Sequence, residues 1–539
     1  GIMKKLLKKL VLLLVLALAA FLYYYVALPA FNIHSIETWF FLIVGWLVLV
    51  LLFSFRKFDF SRKGTVQYHD KKGFSFTKAG LAVLGIMILV LAVGTLLSSP
   101  IINARRYQGL LKVEEREFSE DIPQLDYDQI PLLDKDSAEL LGNRKMGSMV
   151  EYVSQFEVSS LYTQINYKEK PVRVTPLVYA SPIKWLTNQS GGIPAYIRID
   201  MTTQETECVK LEKPIRYSES EYFNRNIYRH LRFRYPTYIF DSISFEIDDE
   251  GTPYWICPVK KFNIGLWGGQ TIGKVVLCNA QTGECTSMDV QDVPEWVDRV
   301  YSADLLIQLY DYYGSLRHGY FNSILGQKDC LRTTEGYNYI AMDDDVWVYT
   351  GVTSVSGDQS NVGFVLMNQR TMETRYYACA GAEEFSAMSS AEGQVQHLGY
   401  KAAFPLLLNI ADEPTYFLAL KDEAGLVKKY AMVNVQRYQI VAIGDTVPEC
   451  EEAYISLLND NNIIAEEGAE TQKRSGVIAR IVEGVIDGNT HYYIFLEGSE
   501  SIFDVALSDF VEIVRYQVGD RITLEYLQGE KTCRVTGIS

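Results

Sequence analysis

Three long apolar stretches within the first 102 residues constrain this chain more than anything else in it. Leu10 to Ile36 holds no Asp, Glu, Lys or Arg, Thr38 to Phe55 is an uncharged 18-mer, and Ala79 to Ile102 is an uncharged 24-mer. A hydrocarbon core about 30 Å thick needs roughly 20 helical residues at about 1.5 Å each. Three N-terminal transmembrane helices are therefore expected within an anchor of residues 1–104. Apart from His34, which lies in the link between the first two, these stretches hold no Asp, Glu, Lys, Arg or His. Transport paths need polar groups at depth, so an anchor is the better reading, with Gly80, Gly85 and Gly94 as places for close helix approach.

The basic residues set the orientation. Lys4, Lys5, Lys8 and Lys9 precede the first stretch, and the link to the second has no Lys or Arg. Arg56, Lys57, Arg62, Lys63, Lys71, Lys72 and Lys78 lie before the third, against Asp59 and Asp70. Basic short loops stay cytoplasmic, which places the N-terminus and this loop inside and residues 105–539 outside. The Lys-rich start of the first stretch also fits a signal peptide; its removal would leave the same final orientation.

The chain carries −15 overall, +8 in residues 1–104 and thus −23 in the remainder. Such a surface repels nucleic acid. With 36 Tyr and 25 Phe, the outer body reads as folded and β-rich. All eight cysteines lie in that body. An oxidising compartment permits disulfides, and Cys278 with Cys285 flanks a tight turn, which makes this pair the candidate disulfide.

One turn pattern occurs three times. Asp200–Thr206, Asn279–Cys285 and Asn368–Thr374 share [DN]-x-x-T-x-E-[TC], each after an apolar strand. An Asx side chain starts a turn by accepting from the backbone two residues on, so each copy reads as a hairpin. A helix is expected after each: one opened by a Ser218-x-x-Glu221 capping box, one by Asp292-x-x-Glu295, and one over residues 382–398. Strands then return through acidic turns such as Asp343–Asp345, which has the look of a cation site but reads as a solvated tip. The fold class is α+β, with tandem hairpin-helix-hairpin repeats. Its divisions are a membrane-proximal helical and extended region (105–190), repeats over 191–272, 273–361 and 362–458, a linker (459–474) and a small β-barrel of OB or SH3-like type (475–539).

Asn279-Ala-Gln-Thr-Gly-Glu284 after its strand resembles the PepSY group of small extracytoplasmic domains. The resemblance implies a binding or regulatory module, of the kind associated with restraint of proteases, and no catalyst.

Several motifs fail on inspection. Gly268–Lys274 imitates a P-loop but has Val275 where Ser or Thr belongs, and it runs on into a strand. Ser181-Pro-Ile-Lys184 has the spacing of a serine enzyme without a K-T-G partner. His230, His318, His397 and His491 form no zinc-binding spacing, and no catalytic, cofactor or metal residue is assigned. Arg225, Arg229, Arg232 and Arg234 make a basic strip suited to docking an acidic partner or the membrane surface. The expected function is a non-catalytic, membrane-anchored binding, scaffold or regulatory protein of the cell envelope. Its partner would be an envelope or membrane protein, or a second copy of itself. The alternative is an accessory or sensor subunit of a larger membrane complex.

Overall fold

The computed structural model describes residues 1–55, 58–60, 66–68, 71–124, 130–355, 360–461, 463, 471–486, 488–529 and 531–539. Arg56, Lys57, Arg62, Lys63, Asp70 and Asp487 lie outside the described residues, as do residues 462 and 464–470 of the expected linker.

Helix α1 runs over Ile2–Ala27, α2 over Ile36–Phe55, α3 over Lys71–Leu97 and α4 over Pro100–Gln108. Among the described residues two helical stretches are long and apolar enough to cross a membrane, Ile2–Ala27 and Thr77–Leu97, where three were expected. The described apolar part of α2, Ile36–Leu52, falls short. In the first turn of α2, Thr38 Oγ1 accepts from Asn32 N (3.3 Å) and donates to Ala30 O.

Beyond the helices the described residues fold as α+β, in four sheets that are antiparallel but for one edge strand, followed by a barrel. The first sheet comprises Phe156–Val158, Thr163–Tyr167, Lys170–Tyr179, Ile193–Asp200 and Thr206–Ile215. The second comprises Ser244–Ile247, Pro253–Ile264, Gly268–Asn279 and Cys285–Asp289. The third is built on Asp345–Ser354, Ser360–Asn368 and Thr374–Ala382, and Val113–Arg116 joins its edge in parallel. The fourth is built on Glu413–Lys421, Val427–Asn434 and Val441–Gly444. Helices Ile227–Arg234, Ala303–Ser315, Glu384–Gln394 and Val447–Asp460 follow the four sheets in turn. The unit is thus sheet then helix, occurring four times. The expected hairpin-helix-hairpin boundaries cut across the sheets, because Phe156–Tyr179 of the supposed membrane-proximal region supplies half of the first one.

Two expected capping boxes are replaced. The Glu221 carboxylate accepts instead from Tyr179 Oη (2.7 Å) and Trp185 Nε1 (2.8 Å), and the helix opens at Asn226, whose side chain accepts from Tyr228 N and Arg229 N. Ala303–Ser315 is capped by Ser302 rather than Asp292.

The recurrent turn has one geometry. Oδ1 of Asp200, Asn279 and Asn368 accepts from the N–H groups two and three residues on at 2.8–3.2 Å. The Thr hydroxyl accepts from the backbone N–H two residues on, at the Glu position, at 3.2–3.3 Å, which explains the Thr. The residue between them is left-handed: Gln204 (φ 65°), Gly283 (φ 75°) and Met372 (φ 67°). A fourth copy, absent from the sequence pattern, starts at Asn434, whose Oδ1 accepts from Gln436 N (3.1 Å) and Arg437 N (2.9 Å).

Both faces of the middle sheets are buried, and alternate residues enter different cores. Trp255, Cys257, Val276 and Cys278 pack with the first sheet, whereas Ile256, Val275 and Leu277 pack with helix Ala303–Ser315 and with Val348 and Val365 of the third. Trp347, Tyr349, Phe364 and Leu366 turn the other way, onto the fourth sheet. Residues 472–538 close a five-stranded barrel in which the third and fifth strands are parallel.

Glu246 and Asp298 are buried where the first two sheets meet. Glu246 accepts from Asp298 N (2.8 Å) and Arg299 N (3.0 Å), and Asp298 Oδ2 from Asn166 N (2.8 Å). Burial pushes the Glu246 carboxyl above its ordinary value of 4.5. A folded-state value above the unfolded one gives stability that is full at low pH and lost as pH rises. Unfolding followed from pH 4.5 to 8 should therefore show a decline that Glu246→Gln reduces. Gly283→Ala should lower stability, because the φ is strained and the new Cβ meets the Tyr217 ring.

Candidate functional site

The helix Ile227–Arg234 is short, and two of its sides face different neighbours. One side meets the end of α1. The last turn of α1 leaves carbonyls without helical partners, and the arginines reach them. Arg229 Nε donates to Tyr25 O and Arg232 Nε to Leu28 O, both at 2.9 Å. The Arg229 guanidinium also lies 3.9 Å from the Tyr25 ring centroid. Two cations at the negative end of a helix add a favourable dipole interaction. Phe31 N donates to Pro236 O (2.9 Å), and the Phe233 ring meets Tyr24 edge-on at 5.4 Å. Arg232 further donates to the carbonyls of Tyr235 and Tyr238.

The four arginines are not one free strip. Arg229 and Arg232 are engaged within the chain, Arg225 donates to Gln189 O (3.1 Å), and Arg234 lies close enough to Cys285 to stabilise its thiolate. The partners of Arg229 and Arg232 stand 204 residues away, beyond the reach of any local pattern.

A second seat lies at the end of α3, where Ser98 Oγ accepts from Leu266 N (2.9 Å) and Trp267 N (3.3 Å), and the Tyr107 hydroxyl donates to Ser98 O. Between the seats opens a cleft of about 590 Å³, with Arg232, Lys260, Glu37 and Asp241 among its polar walls.

The other side of Ile227–Arg234 carries His230. Its Nε2 lies 2.6 Å from Gly283 O, and its ring centroid is 4.4 Å from that of Tyr217. Beside it Cys278 and Cys285 stand directly opposite on neighbouring strands, both free thiols. The imidazole nitrogen and the two sulfurs lie within 4.8 Å of one another. The neighbouring Cys278 thiol draws the Cys285 thiol below its usual range, with His230 adding to the effect, while Cys278 is raised in return. For His230, hydrogen bonds to Cys285 and Gly283 O outweigh burial and raise its value. The candidate disulfide pair is thus brought together, and His230 joins it from 48 residues upstream of Cys278, a spacing no zinc-type pattern would flag. Two thiols and an imidazole match the donor set of an open, three-ligand zinc site rather than a closed one; without a metal they offer thiol chemistry.

The rejected motifs have structural roles. Gly268–Lys274 lies within the strand Gly268–Asn279. Ser181 caps a short helix, accepting from Lys184 N (3.2 Å). In the Asp343–Asp345 turn, Asp345 is buried and paired with Arg370 and Asn368, each at 2.9 Å. No family model matches the chain, and no curated protein matches its sequence.

Arg232→Ala removes the donor to three carbonyls. It should destabilise the full chain in detergent by about 1–3 kcal/mol and increase protease cutting in the link 28–35. Arg232→Lys should recover little, because one ammonium cannot span acceptors that the guanidinium fork reaches together.

Proposed function

We propose that this chain is a multi-pass, membrane-anchored scaffold of the cell envelope whose role is to bind another envelope or membrane protein. The observation that carries this reading is the double seat, in which a tandem stack of sheets is hydrogen-bonded to the ends of α1 and α3. A body held this way presents its outer surfaces at a fixed attitude to the membrane. Orientation follows from charge, with Lys4, Lys5, Lys8, Lys9 and the basic loop cytoplasmic, α2 as the returning helix and residues 105–539 outside.

Two exposed apolar patches support a body resting on the outer leaflet. Ile183, Leu186 and Phe223 lie on the α1 side, where Arg229 joins Phe223 O to the α1 end. Phe321, Ile324 and Leu325 lie on the α4 side, beside Tyr320, which packs with Tyr107. Apolar and aromatic groups at that height favour the interface. The strand order of the C-terminal barrel favours an OB type over an SH3-like one. Its acidic surface disfavours nucleic acid and suits a protein partner. The likeness of the Asn279–Glu284 turn to PepSY modules agrees with a binding role.

The second reading, a sensor or accessory subunit, is favoured by one observation: the helix Ile227–Arg234 touches both the anchor and the thiol pair. Cross-linking in native membranes with mass spectrometry separates the two. The scaffold reading expects links from the four sheets or the barrel to an outer-surface protein. Links mainly from residues 1–104 to another integral membrane protein would favour the subunit reading. Self-links alone would leave a homo-oligomer and overturn both partner assignments.

A further inference from the structure

At the neck of each Asx turn two residues face each other across the hairpin. They are Ile199 and Thr206 in the first sheet and Met367 and Thr374 in the third, but Cys278 and Cys285 in the second. The turn forms equally well without cysteine, and in the second sheet both positions hold it together. Asn279 N donates to Glu284 O (2.9 Å), so the next pair along, Cys278–Cys285, occupies a non-hydrogen-bonded position. Opposed Cα atoms there approach to about 4.5 Å, within the roughly 4.4–6.8 Å that a disulfide spans. The two sulfurs differ in access. Cys278 is fully buried, whereas Cys285 is partly exposed beside His230. An accessible sulfur next to an imidazole, backed by a buried one within bonding reach, is the division of labour of an attacking and a resolving cysteine.

We propose that Cys278 and Cys285 form a thiol–disulfide exchange site whose substrate is a disulfide of a protein or of a small thiol compound. The Cys285 thiolate attacks one sulfur of that disulfide. The S–S bond breaks, and the other sulfur leaves as a thiolate that takes up a proton. Cys278 then gives up its proton and attacks the Cys285 sulfur of the mixed disulfide. The Cys278–Cys285 bond forms and the first sulfur departs as a thiol. Two electrons pass from the chain to the substrate, and the reverse route reduces the chain. His230 is a positioning residue, set by Gly283 O and the Tyr217 ring, that holds its imidazole against Cys285. Closure of the bond would cross-link the turn on which His230 rests.

The test uses the full chain in detergent with oxidised glutathione as the probe, quenched with acid and N-ethylmaleimide and read by peptide mass spectrometry. The wild type should yield the linked Cys278–Cys285 peptide. Cys278→Ser should trap glutathione on Cys285, whereas Cys285→Ser should trap at least about ten-fold less on Cys278, in keeping with thiolate character and access. His230→Gln should slow trapping on Cys285 in the Cys278→Ser background without changing the far-ultraviolet spectrum. Equal trapping by the two single variants, or no linkage at any glutathione ratio, would overturn the proposal. Bound zinc at about one per chain that shields both thiols until a chelator is added would overturn it in favour of a soft-metal site. Should either variant fail to fold, the wild type alone decides. Cys285 should react with N-ethylmaleimide about ten-fold faster than Cys278, and equal rates would overturn the assignment.

Discussion

The backbone carbonyl that follows each Asx residue is the joint on which the stack depends. These carbonyls belong to Met201, Ala280, Gln369 and Val435, all at most 1% exposed. Each receives an N–H from chain that arrives from before its own sheet: Leu132, then Arg216 with Tyr217, then Val300 with Tyr301, then Ala382, at 2.7–3.0 Å. The N–H of the same four residues donates at 3.0–3.1 Å to Pro171, Pro253, Val346 and Pro414, near the start of the neighbouring strand. Buried backbone N–H and C=O groups must both be paired. The Asx side chain curls the turn so that this one residue, through its N–H and its C=O, can satisfy its own sheet and the chain arriving from before it together. The recurrent motif is therefore a connector, and its Thr serves to hold it in shape.

That role explains what could be read from the sequence and what could not. Three connectors were legible because the Asp or Asn and the Thr side chains each accept a short-range hydrogen bond that leaves a compositional trace, whereas the Glu position enters these bonds through its backbone N–H. The fourth was hidden. After Asn434 the return passes through Gln436 and Arg437 and closes later, with Asn434 N donating to Ile440 O (3.1 Å), so only the Asx residue survives. The phase of the unit was hidden for a related reason. A helix between two hairpins can belong to either, and the choice is made by faces that local pattern does not display. Strands such as Val275–Cys278 looked uniformly apolar because their two faces serve different cores. The closed barrel, whose pairings lie mostly between sequence neighbours, was legible from its turns.

The same distinction between local and distant partners governs the site. Cysteines flanking a tight turn must face each other, so their pairing was readable. His230 comes from a helix whose position depends on packing between sheets, and nothing in its own neighbourhood marks it. Arg229 and Arg232 looked like a surface strip because four arginines in ten residues resemble one. Their acceptors are the terminal carbonyls of a helix 204 residues earlier in the chain.

These facts place three unlike demands on eight residues. Ile227 and Leu231 must stay in the core, Arg229 and Arg232 must reach α1, and His230 must sit over the cysteine hairpin. A helix of two turns cannot shift along its axis to improve one contact without straining the others, because rigid side-chain spacing ties them. Ala280, whose carbonyl joins the first two units, is three residues from Gly283, which holds His230. Connector, thiol pair and anchor contact are therefore parts of one mechanical element. A covalent change at the hairpin would arise one helix away from the end of α1, linked to it by the His230 contact on one side and the Arg229 and Arg232 bonds on the other.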